Sequence, residues 1–266
     1  MNIPKIVGIV NITADSFSDG GKFIESEKAI LKAGELLATG ADIVELSGVS
    51  SNPRSKAVPT EVQIARMEPV LAALRCHISI DATNTEVQRW ALSKSVSYLN
   101  DIKGFPDESL YPELAKSNPM LVVMHSISNL DKAVRVEKTV AEVFDSVYSF
   151  FEKRIARLLS AGIPCGRLII DPGMGFFLAE NPEPSLAVLA DISEFKKRFD
   201  LPVMISVSRK SFLRNISPSS ESDIGVRTLA AELFAAVQGV DYIRTHDARA
   251  LKEAIFTYSA IESRAH

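Results

Sequence analysis

Four charged residues stand at the ends of otherwise apolar runs. They are Asp81 after "HISI", Asp171 after "RLII", Lys210 within "SVSRKS" and Arg244 after "VDYI". A charge held beside a buried strand is costly unless a partner or a ligand meets it. Other runs also close on polar groups: Asn11, Asn100 with Asp101, Met124 with His125, and His246 two residues after Arg244. Carboxylates accept hydrogen bonds, an amide accepts and donates, and lysine and arginine hold anions. Together these types predict a site for a nitrogen-rich ring that carries a phosphate or diphosphate.

Some of these residues also have plainer readings. Asp101 and Asp247 serve equally well as helix N-caps. His125 alone reads as a satisfied structural histidine, and Asp15 and Asp19 alone as turn formers. The functional reading rests on Asp81, Asp171, Lys210 and Arg244 taken together.

Such residues meet only if their strands converge. Eight short apolar runs alternate with helical patterns: 5–12, 41–46, 77–82, 96–101, 120–125, 167–172, 202–208 and 240–246. The clearest helix is 139–161, whose Val140, Val143, Phe144, Val147, Phe151, Ile155, Leu158 and Leu159 form one apolar stripe, with a Thr139–Glu142 capping box and Gly162 after its end. A second helix is expected over 26–39, closed by Gly40. Continuous apolar strands imply a parallel sheet covered on both faces. Eight such units in 266 residues predict a single-domain (β/α)8 TIM barrel spanning 1–266. An open doubly wound sheet would carry a glycine fingerprint that this sequence lacks. In the barrel all eight C-terminal strand ends share one mouth, and the loops after strands seven and eight often bind phosphate.

Composition sets the remaining bounds. A hydrophobic fraction of 46%, a charged fraction of 24% and a net charge of −3 describe an ordinary globular chain with no basic surplus for nucleic acid. Cys76 and Cys165 match no metal or redox spacing, and no run of about 18 apolar residues occurs. A cytoplasmic protein without membrane attachment is expected.

The segments "GIVNITADSFSDGG", "NDI", "DPGMGF", "SRKS" and "RTHD", in this order, resemble the dihydropteroate synthases. The resemblance implies condensation of 6-hydroxymethyl-7,8-dihydropterin diphosphate with 4-aminobenzoate, with Mg²⁺ as cofactor. It implies a pterin site of Asp81, Asn100, Met124, Asp171, Lys210 and Arg244. It implies a diphosphate site of Asn11, Ser51, Arg244 and His246, with Asn11 also touching Mg²⁺. The opening loop would close as a lid, bringing Asp19 to the reacting centre and Phe17 to the aminobenzoate, beside Pro53, Phe176, Lys210 and Ser211. Asp81, Lys210, Arg244 and Asp19 would carry the catalysis. The family further implies a homodimer through helices of the later half.

"SSNP", "NDIKGFPD", "DPGMGFFL" and "SVSRKSFLR" are similar to the mobile, sulfonamide-resistant branch of that family. There Gly104 and Phe105 are expected at the edge of the aminobenzoate pocket, discriminating against the drug. After strand two the family usually has Asp-x-Gly-Gly-Glu-Ser-Thr-Arg-Pro, and this chain has "ELSGVSSNP". Glu45 replaces the Asp, Ser47 a Gly, Ser51 the Thr and Asn52 the Arg, so one cation is lost and the longer Glu45 carboxylate is expected to disturb the strand end. The alternatives are a pterin-binding methyl-transfer module and an inactive pterin-binding relative.

Overall fold

The computed structural model describes residues 2–12, 19–49, 57–128, 135–216 and 223–264, with no side chains for 19–24. Eight strands run in chain order: β1 Lys5–Asn11, β2 Ile43–Ser47, β3 His77–Asp81, β4 Tyr98–Asp101, β5 Met120–Met124, β6 Leu168–Asp171, β7 Met204–Ile205 and β8 Tyr242–Thr245. All pair in parallel, in the order β6-β5-β4-β3-β2-β1-β8-β7. A parallel bridge from Ile170 to Val203 joins the two ends and closes the ring. This is the expected (β/α)8 barrel.

The helices are α1 Asp19–Ala38, α2 Thr60–Ala73, α3 Thr85–Ser93, α4 Tyr111–Lys116, α5 Val140–Ser160, α6 Glu183–Ala190, α7 Ile192–Phe199, α8 Ser211–Asn215, α9 Ile224–Val237 and α10 Ala248–Glu262. The capping box of α5 is present as expected, and Gly162 and Gly40 follow their helices with positive φ. The first helix differs from expectation. It starts at Asp19 rather than 26, so the last residues assigned to the opening loop belong to α1.

Strand pleat decides what enters the barrel. Residues two apart share a face, and the register aligns Glu45 with Ser79 and Asp81 with Asn100. One layer lower, Val7, Ile43, Tyr98, Val122, Ile169, Met204 and Tyr242 pack together. That apolar plug supports the polar layer above it. The strands' other face meets the helices in the main core, where Val44, Leu46, Ile80, Leu99 and Ile170 are buried.

The strand-two expectation needs correction. Glu45 leaves β2 undisturbed, paired in register with Ile9 and Ser79. Its carboxylate lies within the barrel, where donors on three other strands receive it.

Candidate active site

At the mouth, Arg244 of β8 bridges two carboxylates. Its Nε donates to Glu45 Oε1, and its second terminal nitrogen donates to Asp81 Oδ2 at 2.9 Å. Glu45 Oε2 also accepts from Ser79 Oγ at 3.0 Å and Asn100 Nδ2 at 3.1 Å. Burial works against the Arg244 charge, but Glu45 and Asp81 outweigh it and hold its pKa above the ordinary value. Burial raises the Asp81 pKa; Arg244 opposes that rise and Glu45 adds to it.

Asp171 sits across the mouth at the end of β6. Its Oδ1 accepts from Gly173 N at 2.8 Å, and burial raises its pKa to about 6 against that bond and the Lys210 charge. Gly173 is required there: at φ +76 a Cβ would lie 2.5 Å from the His125 carbonyl oxygen. Lys210 enters from the residue before α8, its Nζ 4.7 Å from the centroid of Phe177. Burial, with Arg244 adding, lowers its pKa to about 8, while Asp171 and Asp81 pull it back. Met124, Ile102 and Phe177 form a small apolar cluster with Phe176 against it.

Asp81, Asn100, Asp171, Lys210 and Arg244 therefore meet at the barrel mouth, linked by hydrogen bonds, for Asn100 through Glu45, or by mutual charge interactions. His246 is held through Nδ1 to Ser208 Oγ at 2.9 Å. Burial and the neighbouring Arg209, Arg244, Lys210 and Lys32 lower its pKa to about 4, so it is neutral at pH 7. Asn11 is exposed at the end of β1, and Ser211 opens α8. Ser51, Pro53 and Phe17 lie outside the described residues, as does Asp15. Asp19 begins α1, but its side chain is not described.

Two plainer readings hold. Asp247 caps α10 through Ala250 N at 3.0 Å. His125 is buried between Pro172 O and Ser146 Oγ, with a pKa lowered to about 4 by burial. Asp101, by contrast, is not the helix N-cap expected: Asp107 and Leu110 stand at those caps, and Asp101 is buried and accepts from Lys103 N, Phe105 N and Gln88 Nε2 at 2.8, 3.1 and 2.9 Å.

That Asp101 clamp corrects the expected place of Phe105. It holds Gly104 and Phe105 both at positive φ, +64 and +61, and the Phe105 ring is 1% exposed in the main core. Its carbonyl accepts from Tyr111 Oη at 2.9 Å and from Arg154. A Cβ on Gly104 would lie 2.6 Å from Phe150, so this turn is packed against α5 rather than open at a pocket rim.

Sequence reasoning missed Ser79 and the hub role of Glu45. Ser79 lies two positions before Asp81, and the strand alternation carried that signal. Glu232, buried on α9, was missed as well. Burial raises its pKa to about 8, opposed by a hydrogen bond from Thr245.

Among the described residues, no group of three or more His, Cys, Asp or Glu is placed to hold a metal ion. Asn11, exposed at the end of β1, offers a neutral amide oxygen of the type that Mg²⁺ accepts.

The fold and site are those of a barrel enzyme with acceptors and cations at its mouth, and a family model described as "Pterin binding enzyme" matches residues 7–246. The chain is 49% identical to the type-2 dihydropteroate synthase of Escherichia coli over 98% of this chain and 97% of that one. It is 46% identical to a type-3 enzyme from the same organism, over 94% and 97%. The dihydropteroate synthase structure from Anaplasma phagocytophilum, with bound 6-hydroxymethylpterin-monophosphate, superposes at a TM-score of 0.85 with 30% identity, covering 98% and 100%. The Xanthomonas albilineans enzyme with 4-aminobenzoic acid does so at 0.84 with 30% identity, covering 98% and 94%. The chain belongs to the dihydropteroate synthase family.

Proposed function

We propose that this chain condenses 6-hydroxymethyl-7,8-dihydropterin diphosphate with 4-aminobenzoate, forming 7,8-dihydropteroate and releasing diphosphate for folate synthesis. The observation that carries this reading is the convergence of Asp81, Asn100, Asp171, Lys210 and Arg244 at the barrel mouth. Asp171 and Asn100 accept ring N–H groups, and Met124 packs beside the ring. The bond from the pterin methylene to diphosphate breaks, and its electron pair leaves with the diphosphate. Lys210 and Arg244 neutralise that charge, while the Asp81 carboxylate favours positive charge on the ring. The neutral aromatic amine then forms the C–N bond and loses a proton, so no strong base is needed.

Asn11 and His246 complete the anion site, the neutral His246 by hydrogen bonding. Mg²⁺ held at Asn11 would supply further charge neutralisation on the diphosphate. Ser51 belongs to the same anion site. Phe17, Pro53, Phe176, Lys210 and Ser211 form the aminobenzoate pocket, with Asp19 reaching the reacting centre from the first residue of α1. Sulfonamide insensitivity belongs to this proposal through the likeness of "SSNP" and "SVSRKSFLR" to the resistant branch.

A cytoplasmic homodimer completes the reading. Among the described residues no helix is long and apolar enough to cross a membrane. Exposed Leu186, Ile216 and Phe234 rim an apolar groove between α6, α8 and α9, with Leu189 and Leu213 at its base. Such a patch suits a subunit interface, and light scattering at twice the chain mass would support it.

Titration calorimetry tests the assignment. Aminobenzoate should give little heat alone and clear binding once pterin, diphosphate and Mg²⁺ are present. Equal affinity in both conditions would contradict an ordered site. Pterin binding with no aminobenzoate response would favour the methyl-transfer reading.

A further inference from the structure

Glu45 makes no exposed surface, yet it touches two of the groups assigned above to the pterin. Its side chain is 0% exposed. One oxygen takes Arg244 Nε, and the other takes Ser79 Oγ and Asn100 Nδ2. A carboxylate paired with arginine offers acceptors only, so the Asn100 amide must turn its NH₂ toward Glu45. The consequence appears at the other end of that amide. Asn100 Oδ1 is buried and has no hydrogen-bond partner among the described residues. A buried acceptor left open is costly, and a ligand N–H removes that cost.

We propose that Glu45 is a positioning residue that sets the polarity of Asn100, fixing its Oδ1 as the acceptor for a ring N–H, while it orients the Arg244 guanidinium. This rests on the pterin site proposed above and adds a residue that does not itself touch the ligand. It also reinterprets a departure from the family pattern: the longer Glu45 side chain reaches from β2 past β3 to β4 on one side, and past β1 to β8 on the other.

Glu45→Gln inverts the arrangement. Arg244 needs an acceptor and takes the glutamine oxygen, which leaves the glutamine NH₂ facing Ser79 and Asn100. Asn100 then turns its oxygen inward and presents a donor to the ligand. Glu45→Asp keeps two acceptors and therefore the original polarity.

The test has two arms. In the unliganded protein, the side-chain NH₂ signals of Asn100, assigned by their loss in Asn100→Ala, should move in Glu45→Gln and stay near wild type in Glu45→Asp. Unchanged signals in Glu45→Gln would overturn the proposal. In the second arm, calorimetry with 6-hydroxymethylpterin-monophosphate should show Glu45→Gln at least tenfold weaker than wild type and Glu45→Asp largely restored. The double variant Glu45→Gln/Asn100→Ala should be little weaker than Asn100→Ala alone, because the two residues act as one unit. Fully additive losses would overturn the proposal, as would equal losses in Glu45→Gln and Glu45→Asp. In turnover, the KM for the pterin substrate should rise while the KM for aminobenzoate stays fixed, a split that general loosening of the fold would not give. A wild-type protein that fails to bind the probe counts against the proposed function, and the first arm still decides the role of Glu45.

Discussion

Arg244 and Glu45 are paired across the barrel mouth from strands β8 and β2, with β1 between them. The pair fixes the guanidinium before substrate arrives, and Arg244 still reaches Asp81 at 2.9 Å. Breaking one side of a buried ion pair leaves the other charge uncompensated. Glu45→Ala should therefore lower stability by about 3 kcal/mol or more, measured by urea denaturation. A loss under about 1 kcal/mol, the range of exposed pairs, would show that the pair is not buried as described.

Asp171 and Lys210 grip the ring from the ends of the neighbouring strands β6 and β7 in the proposed complex. Removing one partner of a buried hydrogen bond costs about 1–3 kcal/mol, more when charge is involved. Asp171→Asn and Lys210→Ala should each weaken pterin binding at least about tenfold with the fold intact by circular dichroism. Near-normal affinity in both would remove these residues from the site.

His246 starts neutral, with a pKa lowered to about 4. A diphosphate beside it favours the charged form, so its pKa must rise on binding. Binding then becomes linked to proton uptake and tightens as pH falls through the raised value. The ring C–H signal of His246 should titrate near pH 4 in the free protein and at higher pH with diphosphate and Mg²⁺. An unmoved titration would place the anion elsewhere.

Glu232 offers a stability test away from the mouth. Its folded pKa, about 8, lies above its ordinary value, so the fold favours the protonated form. Below that ordinary value both states are protonated and no penalty applies. As pH rises, the unfolded chain ionises first and stability falls, until the folded group ionises near pH 8. Glu232→Gln should flatten this profile and gain on the order of 2–4 kcal/mol near pH 8. Parallel profiles for the two proteins would show that Glu232 is not the group responsible.

The turn at Gly104–Phe105 now carries a different expectation from a drug-discriminating rim. With the ring in the core and both residues at positive φ, deleting the pair should destabilise the protein severely. Asp101→Ala should cost about 3 kcal/mol or more by leaving three donors unmet. A stable deletion variant with restored sulfonamide inhibition would return Phe105 to the pocket.

Much of this was legible in the sequence because the site follows the strand pleat. Asp81, Asn100, Asp171 and Arg244 could be placed from their positions at run ends alone, since a parallel barrel has one mouth. Glu45 was harder. It was visible as a strand-end carboxylate, but its partners lie 34, 55 and 199 positions away, and only closure of the ring brings them near. Phe105 was expected at the pocket edge from the resemblance of "NDIKGFPD" to the resistant branch, and no local pattern announced the Asp101 clamp that turns it inward. The short β7, Met204–Ile205, differed from the expected 202–208 because backbone ladders stop where the loop bends toward Lys210.

The most direct test of the account is turnover by the purified chain. With 6-hydroxymethyl-7,8-dihydropterin diphosphate, 4-aminobenzoate and Mg²⁺, dihydropteroate and diphosphate should form in equal amounts, and Asp171→Asn and Lys210→Ala should suppress both. Pterin bound by the wild-type protein with no dihydropteroate formed would contradict it.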